Sequence, residues 1–124
     1  MIKNVTPLPD NVNIVKPDTN ISLSHIPFSG EWYGMWQYNL PCRLIVESIN
    51  ENEANVIYSC SDHPNGYFKK GWSRAIATID STGMLSFELG DAKLNYRYDK
   101  NEDILIGNYK NQYADDRAIM KRKK

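Results

Sequence analysis

Few side chains in this sequence are equipped for chemistry. There are two cysteines and two histidines. Cys42 opens the β-branched segment 42–49, and Cys60 closes the similar segment 54–60. Asn50-Glu51-Asn52-Glu53 lies between them and has the composition of a hairpin loop. A hairpin centred on Glu51 sets Cys42 directly opposite Cys60. Such neighbours stay two buried thiols in a reducing compartment or join as a disulfide in an oxidising one. A one-residue slip would separate them. His25 and His63 make no metal set, because zinc wants three or four ligands at suitable spacing. Asp62-His63-Pro64-Asn65-Gly66 reads instead as loop chemistry. Asp115 and Asp116 are adjacent, so on a strand they face opposite sides and cannot bracket a substrate. No nucleophile elbow, phosphate loop or dinucleotide fingerprint is present. The expectation is a protein without catalysis, bound metal or cofactor.

Composition narrows the class further. With 124 residues, the chain suits one domain. Its 41% hydrophobic and 24% charged residues are a globular composition rather than a disordered one. Fifteen basic and fifteen acidic side chains cancel, which argues against the basic face a nucleic-acid binder needs. No apolar run is long enough to span a membrane as a helix. The opening ten residues lack the apolar core of a signal peptide, so a cytoplasmic location is expected, or a secreted or periplasmic one if a leader was removed.

The elements that must position these residues fall in two parts. Residues 1–27 hold four of the six prolines and read as an extended arm or linker, lying along the domain or docking on a protein partner. From residue 28 to 124 short apolar segments alternate with turns. Candidate strands cover 31–38, 42–49, 54–60, 72–79, 84–89, 92–98, 104–110 and a last segment around 113–122. The gap 61–71 is the longest, and it is punctuated by Pro and Gly. Parallel strands need crossovers of roughly a dozen residues or more, so sequential antiparallel pairing follows. Closing the sheet removes both open edges. The expected fold is all-β, an eight-stranded antiparallel up-and-down barrel. Residues 114–123 also suit a short helix, but a strand there would pair with the first and close the barrel.

Side chains alternate along a strand, which sorts them into two faces. Leu85, Phe87 and Leu89 oppose Ser86 and Glu88, and Leu94, Tyr96 and Tyr98 oppose Lys93, Asn95 and Arg97. The fourth strand is ambiguous, with Ala75, Ala77 and Ile79 competing against Trp72 and Ile76. The inferred lumen is rich in aromatics, which either fill it or leave a cavity at one mouth. Trp36, Tyr58, Phe87, Tyr96 and Tyr109 are the candidate ligand-binding walls.

The stretch 27–36, PFSGEWYGMW, resembles the first-strand motif of lipocalins and the wider calycin superfamily, with Gly30-Glu31-Trp32-Tyr33 on its G-x-W-Y pattern. Short bacterial calycin-like domains of this kind also carry a Tyr-Ser pair on their third strand, as Tyr58-Ser59 does here. The resemblance implies that the tryptophan closes one barrel end under a basic residue of the last strand. Arg122 is the expected partner of Trp32, with Arg117 as the alternative. It implies non-enzymatic binding of a small apolar or aromatic ligand at the opposite mouth, near residues 39–41 and 61–71. The alternative is an accessory or protein-interaction domain with a packed barrel, working through Tyr33, Ile45, Ile57 and Ile106 on its outer face or through the arm. Small bacterial metalloprotease-inhibitor barrels share the G-x-W strand and one disulfide near the Cys42–Cys60 position, which makes inhibition a third reading. A lumen filled by Trp32, Trp36 and Phe87 counts against the ligand reading.

Overall fold

The computed structural model describes residues 8–36, 40–61, 71–112 and 114–123. A single 3-10 turn, Ile26–Phe28, leads into eight strands: β1 (Gly30–Trp36), β2 (Leu40–Ile49), β3 (Glu53–Cys60), β4 (Gly71–Ile79), β5 (Met84–Leu89), β6 (Ala92–Asp99), β7 (Ile104–Lys110) and β8 (Asp115–Arg122). They form a closed antiparallel barrel in sequence order. That architecture is compatible with a calycin-like fold. The last segment is a strand: it pairs along its length with β7 and meets β1 through Trp32↔Arg122 and Tyr33↔Lys121. Among the described residues no helix is long and apolar enough to cross a membrane.

Local chemistry explains the short turns. Asp80 ends β4, and its carboxylate accepts from the Thr82 hydroxyl and from the Thr82 and Met84 amides. Gly90 takes φ +59° in the two-residue turn between Leu89 and Ala92, a conformation that disfavours a Cβ. The alternation of β5 and β6 holds: Leu85, Phe87, Leu94 and Tyr96 are buried, while Glu88, Lys93 and Arg97 are exposed. On β4 the ambiguity resolves toward Ala77 and Ile79 inside, leaving Trp72 and Ile76 exposed on the outer face.

The β2–β3 hairpin is less regular than a simple turn. Next to the loop, Ile49 pairs with Ala54 and Ser48 with Asn55. That register, continued unbroken, would put Cys42 against Ser61. A bulge at Glu47 resets it, so that Val46 faces Val56 and Cys42 faces Cys60. The bulge also frees Glu47 to anchor the arm. Its carbonyl accepts from the Val15 amide at 2.6 Å, and its carboxylate binds the Asn13 amide and Arg74. Arg74 in turn donates to Asn11.

Further along the arm, Ile21 packs against the core. Ser22 donates its hydroxyl and its amide to Glu51, holding that carboxyl below its ordinary range. The arm therefore lies on its own barrel from residue 11 to residue 22.

This layout corrects one expectation. Ile45 and Ile57 sit on the outward face but are fully buried, so neither is available as a partner contact. They occupy the β2–β3 wall crossed by residues 11–15 on their way between Glu47 and Arg74. Tyr33 and Ile106 are half-buried.

Candidate functional site

Three places in the barrel bring chemically capable groups together: the closed end, the upper lumen and the seam between β4 and β5.

The closed end is built on Trp32, which is completely buried at the start of β1. Its indole N–H donates to the Phe28 carbonyl at 2.9 Å. The Arg122 guanidinium lies over the ring, 4.2 Å from its centroid. The same group donates to the Ser29 carbonyl at 2.9 Å and the Pro27 carbonyl at 2.8 Å, and forks onto Asp103. Asp103 also accepts from the Tyr98 hydroxyl, an interaction that holds the phenol proton on and raises its pKa. The Tyr98 ring meets the edge of Trp32. Parity and the first-strand motif identify Trp32 and Arg122 in the sequence. Asp103 carries no such mark there, because it belongs to a loop whose position depends on β6 and β7 pairing. Arg117, the alternative, is exposed.

The upper lumen gathers all five candidate ligand-wall residues. The Trp36 indole donates to the Tyr58 hydroxyl at 2.8 Å and meets the Tyr109 ring at a centroid distance of 5.9 Å. Phe87 stacks on Tyr96 at 6.0 Å and tilts against Tyr58 at 6.3 Å. Trp36, Tyr58, Phe87, Tyr96 and Tyr109 are all buried. Within the described lumen they pack on one another. Gly107 makes this possible, since a Cβ there would stand 2.7 Å from the Tyr96 ring.

Burial pushes the Tyr58 and Tyr96 phenols well above their ordinary value. Tyr96 is fully buried, and among the described residues its hydroxyl has no hydrogen-bond partner. Cys42 and Cys60 stand beside this group as two thiols. Both contribute to the upward shifts of Tyr58 and Tyr96, so the four side chains share one region. Burial raises the Cys42 thiol strongly, with Cys60 adding to the effect. Such a thiol stays protonated and is a poor nucleophile. Residues 62–70, which include His63, and 37–39 lie outside the described residues. The expected ligand entrance at that end is therefore placed only at Leu40, Pro41, Ser61 and Gly71.

The third place is on the outside. The β4–β5 ladder consists of Thr78↔Ser86 and Ile79↔Leu85 alone. Every other neighbouring pair except the β1–β8 closure is longer. Residues 71–77 of β4 pair with β3 on one side and with no described strand on the other. A groove of about 460 Å³ follows the seam, lined by Ile76, Thr78, Phe87, Glu88 and Lys93 among others. Ile76 in this groove is 64% exposed, and Trp72, four residues earlier on the outer face of β4, is 42% exposed. Strand propensity placed both in β4, but the open seam beside them has no counterpart in the local pattern.

Among the described residues no group of three or more His, Cys, Asp or Glu side chains is placed to hold a metal ion. Comparison with protein-family models, with curated proteins and with solved structures found no match.

Proposed function

We propose that this protein is a non-enzymatic interaction domain on a calycin-like barrel, which receives an extended polypeptide segment along the β4–β5 seam. One observation carries the reading: among the described residues β4 has no strand partner on its β5 side over residues 71–77, with Trp72 and Ile76 exposed on its outer face. An unpaired edge offers main-chain donors and acceptors to an incoming strand, and adjacent apolar side chains supply specificity. Glu88 and Lys93 at the groove add charges of both signs for a mixed-charge segment. The arm reaches β4 only at Arg74 among its described contacts, and that side chain also bonds Glu47 on β2, on the side of β4 away from β5.

The reading of a small apolar ligand in the lumen comes second. Trp32, Trp36 and Phe87 occupy the described interior, and an incoming molecule would have to part rings already in contact. Calycin-like identity draws its support from Gly30-Glu31-Trp32-Tyr33 on β1 and from Arg122 stacked over Trp32.

A phage library of random nine-residue peptides, panned on the full chain, tests the proposal. The best binder should lose about tenfold or more in affinity on Ile76→Glu and on Trp72→Ala, the size of effect expected from one apolar anchor. Met35→Ser, an exposed change on β1 away from the seam, should leave it unaltered. Hydrogen exchange at residues 71–77 should slow when the peptide binds. Selected peptides that bind both seam variants as tightly as the parent, or a library yielding no binder, would overturn the reading.

A further inference from the structure

Three sulfur-bearing side chains stand on the lumen wall, from β2, β3 and β8. Cys42 on β2 and Cys60 on β3 are direct cross-strand partners. The Ser61 amide donates to the Pro41 carbonyl, so 41/61 is a hydrogen-bonded position and 42/60 a non-hydrogen-bonded one. Side chains approach most closely at such positions, where Cα atoms are about 4.5 Å apart. The third sulfur comes from β8. Met120 is fully buried, and its Sδ accepts from the Cys42 thiol at 3.7 Å.

Met120 reaches β2 only because β1, which lies between them, has glycine at the crossing. Gly34 is paired with Cys42, and a Cβ on Gly34 would collide with the Met120 sulfur. The fold thus leaves a side-chain-sized gap in β1 that the thioether fills.

We propose that Cys42, Cys60 and Met120 form a binding site for a soft monovalent metal ion, copper(I) being the member of that class tested below. Thiolate and thioether sulfur select this class, whereas a closed zinc site wants four ligands and hard cations want oxygen. Geometry fits a shared ion: two sulfurs 3.7 Å apart, each bonded at about 2.3 Å, subtend about 107° at the metal. Binding breaks two S–H bonds and the ion's bonds to its acetonitrile carrier, forms three metal–sulfur bonds (two to thiolates and one to the Met120 thioether), and releases two protons. No electron is transferred. The two thiolates and one monovalent cation leave a single negative charge inside the barrel.

Tyr96 is the candidate donor for that charge. The Tyr96 hydroxyl is fully buried within electrostatic reach of both cysteines, and among the described residues it has no hydrogen-bond partner. Such a group carries a desolvation cost with no return until an acceptor forms nearby. A thiolate sulfur on the ion is such an acceptor, and outer donors of this kind tune metal sites strongly. A Cys42–Cys60 disulfide, the competing fate of the pair, would leave Met120 without the thiol proton it accepts. It would also provide no anionic acceptor for Tyr96.

The test is an anaerobic titration of the reduced full-length chain with copper(I), supplied as its acetonitrile complex against a coloured copper(I) chelator. X-ray absorption on the loaded protein accompanies it. The expected result is one ion per chain with a shell of three sulfurs at about 2.3 Å. Cys42→Ser and Cys60→Ser should abolish stoichiometric uptake. Cys42→Ala replaces the serine variant if that fails to fold. Met120→Leu should weaken binding about tenfold and reduce the shell to two sulfurs. Tyr96→Phe should weaken it roughly 10–100-fold, the range of outer-donor losses. A purely structural tyrosine would not move the copper affinity in a variant that remains folded. Uptake no greater than that of the double Cys→Ser variant overturns the proposal, as does a Met120→Leu titration identical to the parent. A reduced chain that reoxidises to a disulfide in the presence of copper(I) rather than holding the ion overturns it as well.

Discussion

Removing the Arg122 guanidinium should unfasten the closed end of the barrel, and the structure sets the size of the effect. In Arg122→Met the aliphatic stem still covers Trp32, but the charge and its donors are gone. The Pro27 and Ser29 carbonyls lose their partners at 2.8 and 2.9 Å. Hydrogen bonds from a charged donor contribute about 1.5–3 kcal/mol each when buried. These are part-buried, so water recovers a share, and about 2 kcal/mol remains for the two together. The stacking on Trp32 at 4.2 Å adds about 1 kcal/mol. The ion pair to Asp103 adds little, because the two side chains are 30% and 49% exposed. The total is about 3 kcal/mol, a large part of a small domain's stability.

Urea unfolding followed by tryptophan fluorescence measures it. With a slope of about 1.5 kcal/mol/M, the midpoint should fall by about 2 M at unchanged slope. Arg122→Lys keeps a cation over the indole but cannot reach both carbonyls and Asp103 together, so it should lose about half as much. Asp103→Asn should cost under about 1 kcal/mol. An Arg122→Met midpoint within experimental error of the parent, or equal losses in the Met and Lys variants, would refute the assignment of this end's stability to the guanidinium.

Three other outcomes follow from the packed lumen. Tyr96→Phe removes a buried hydroxyl with no partner among the described residues and should stabilise the metal-free protein by about 1–3 kcal/mol, read as a raised urea midpoint. Raising the pH should unfold the protein cooperatively. Tyr58 and Tyr96 titrate well above 10.0 when folded but near it when unfolded, and Cys42 is likewise raised above 9.0. Protons are therefore bound more tightly in the folded state. The stability they contribute is complete below the unfolded values and is lost as pH rises past them, by about 1.4 kcal/mol per pH unit for each group. Tyrosinate absorbance should appear together with loss of near-ultraviolet circular dichroism above pH 10, and a gradual tyrosinate titration with the fold intact would contradict this. Gly34→Ala should destabilise by about 1–3 kcal/mol or more. The new methyl would stand 2.7 Å from the Ile119 carbonyl as well as against Met120, and a thermal melt matching the parent would show that β1 and β8 have slack here.

Much of this architecture is legible in the amino-acid order. Period-two alternation in residues 85–98 and short turns at 80–83 and 90–91 dictate antiparallel neighbours and say which residues point inward. Those signals are local, since each depends on residues a few positions apart. Trp32 and Arg122 follow from parity once the strands are assumed to close.

Contacts between distant segments decided the rest. Cys42 faces Cys60 only because the bulge at Glu47 offsets a turn that alone would have set it against Ser61. Ile45 and Ile57 look like free outer-face residues, yet they are buried on the wall where residues 11–15 cross from Glu47 to Arg74. Met120 reads as one more inward side chain, but the gap at Gly34 carries its sulfur across β1 to a thiol seventy-eight residues away in sequence. The early end of the β4–β5 ladder has no mark in either strand, because the propensity of one strand does not fix how far its neighbour stays paired with it.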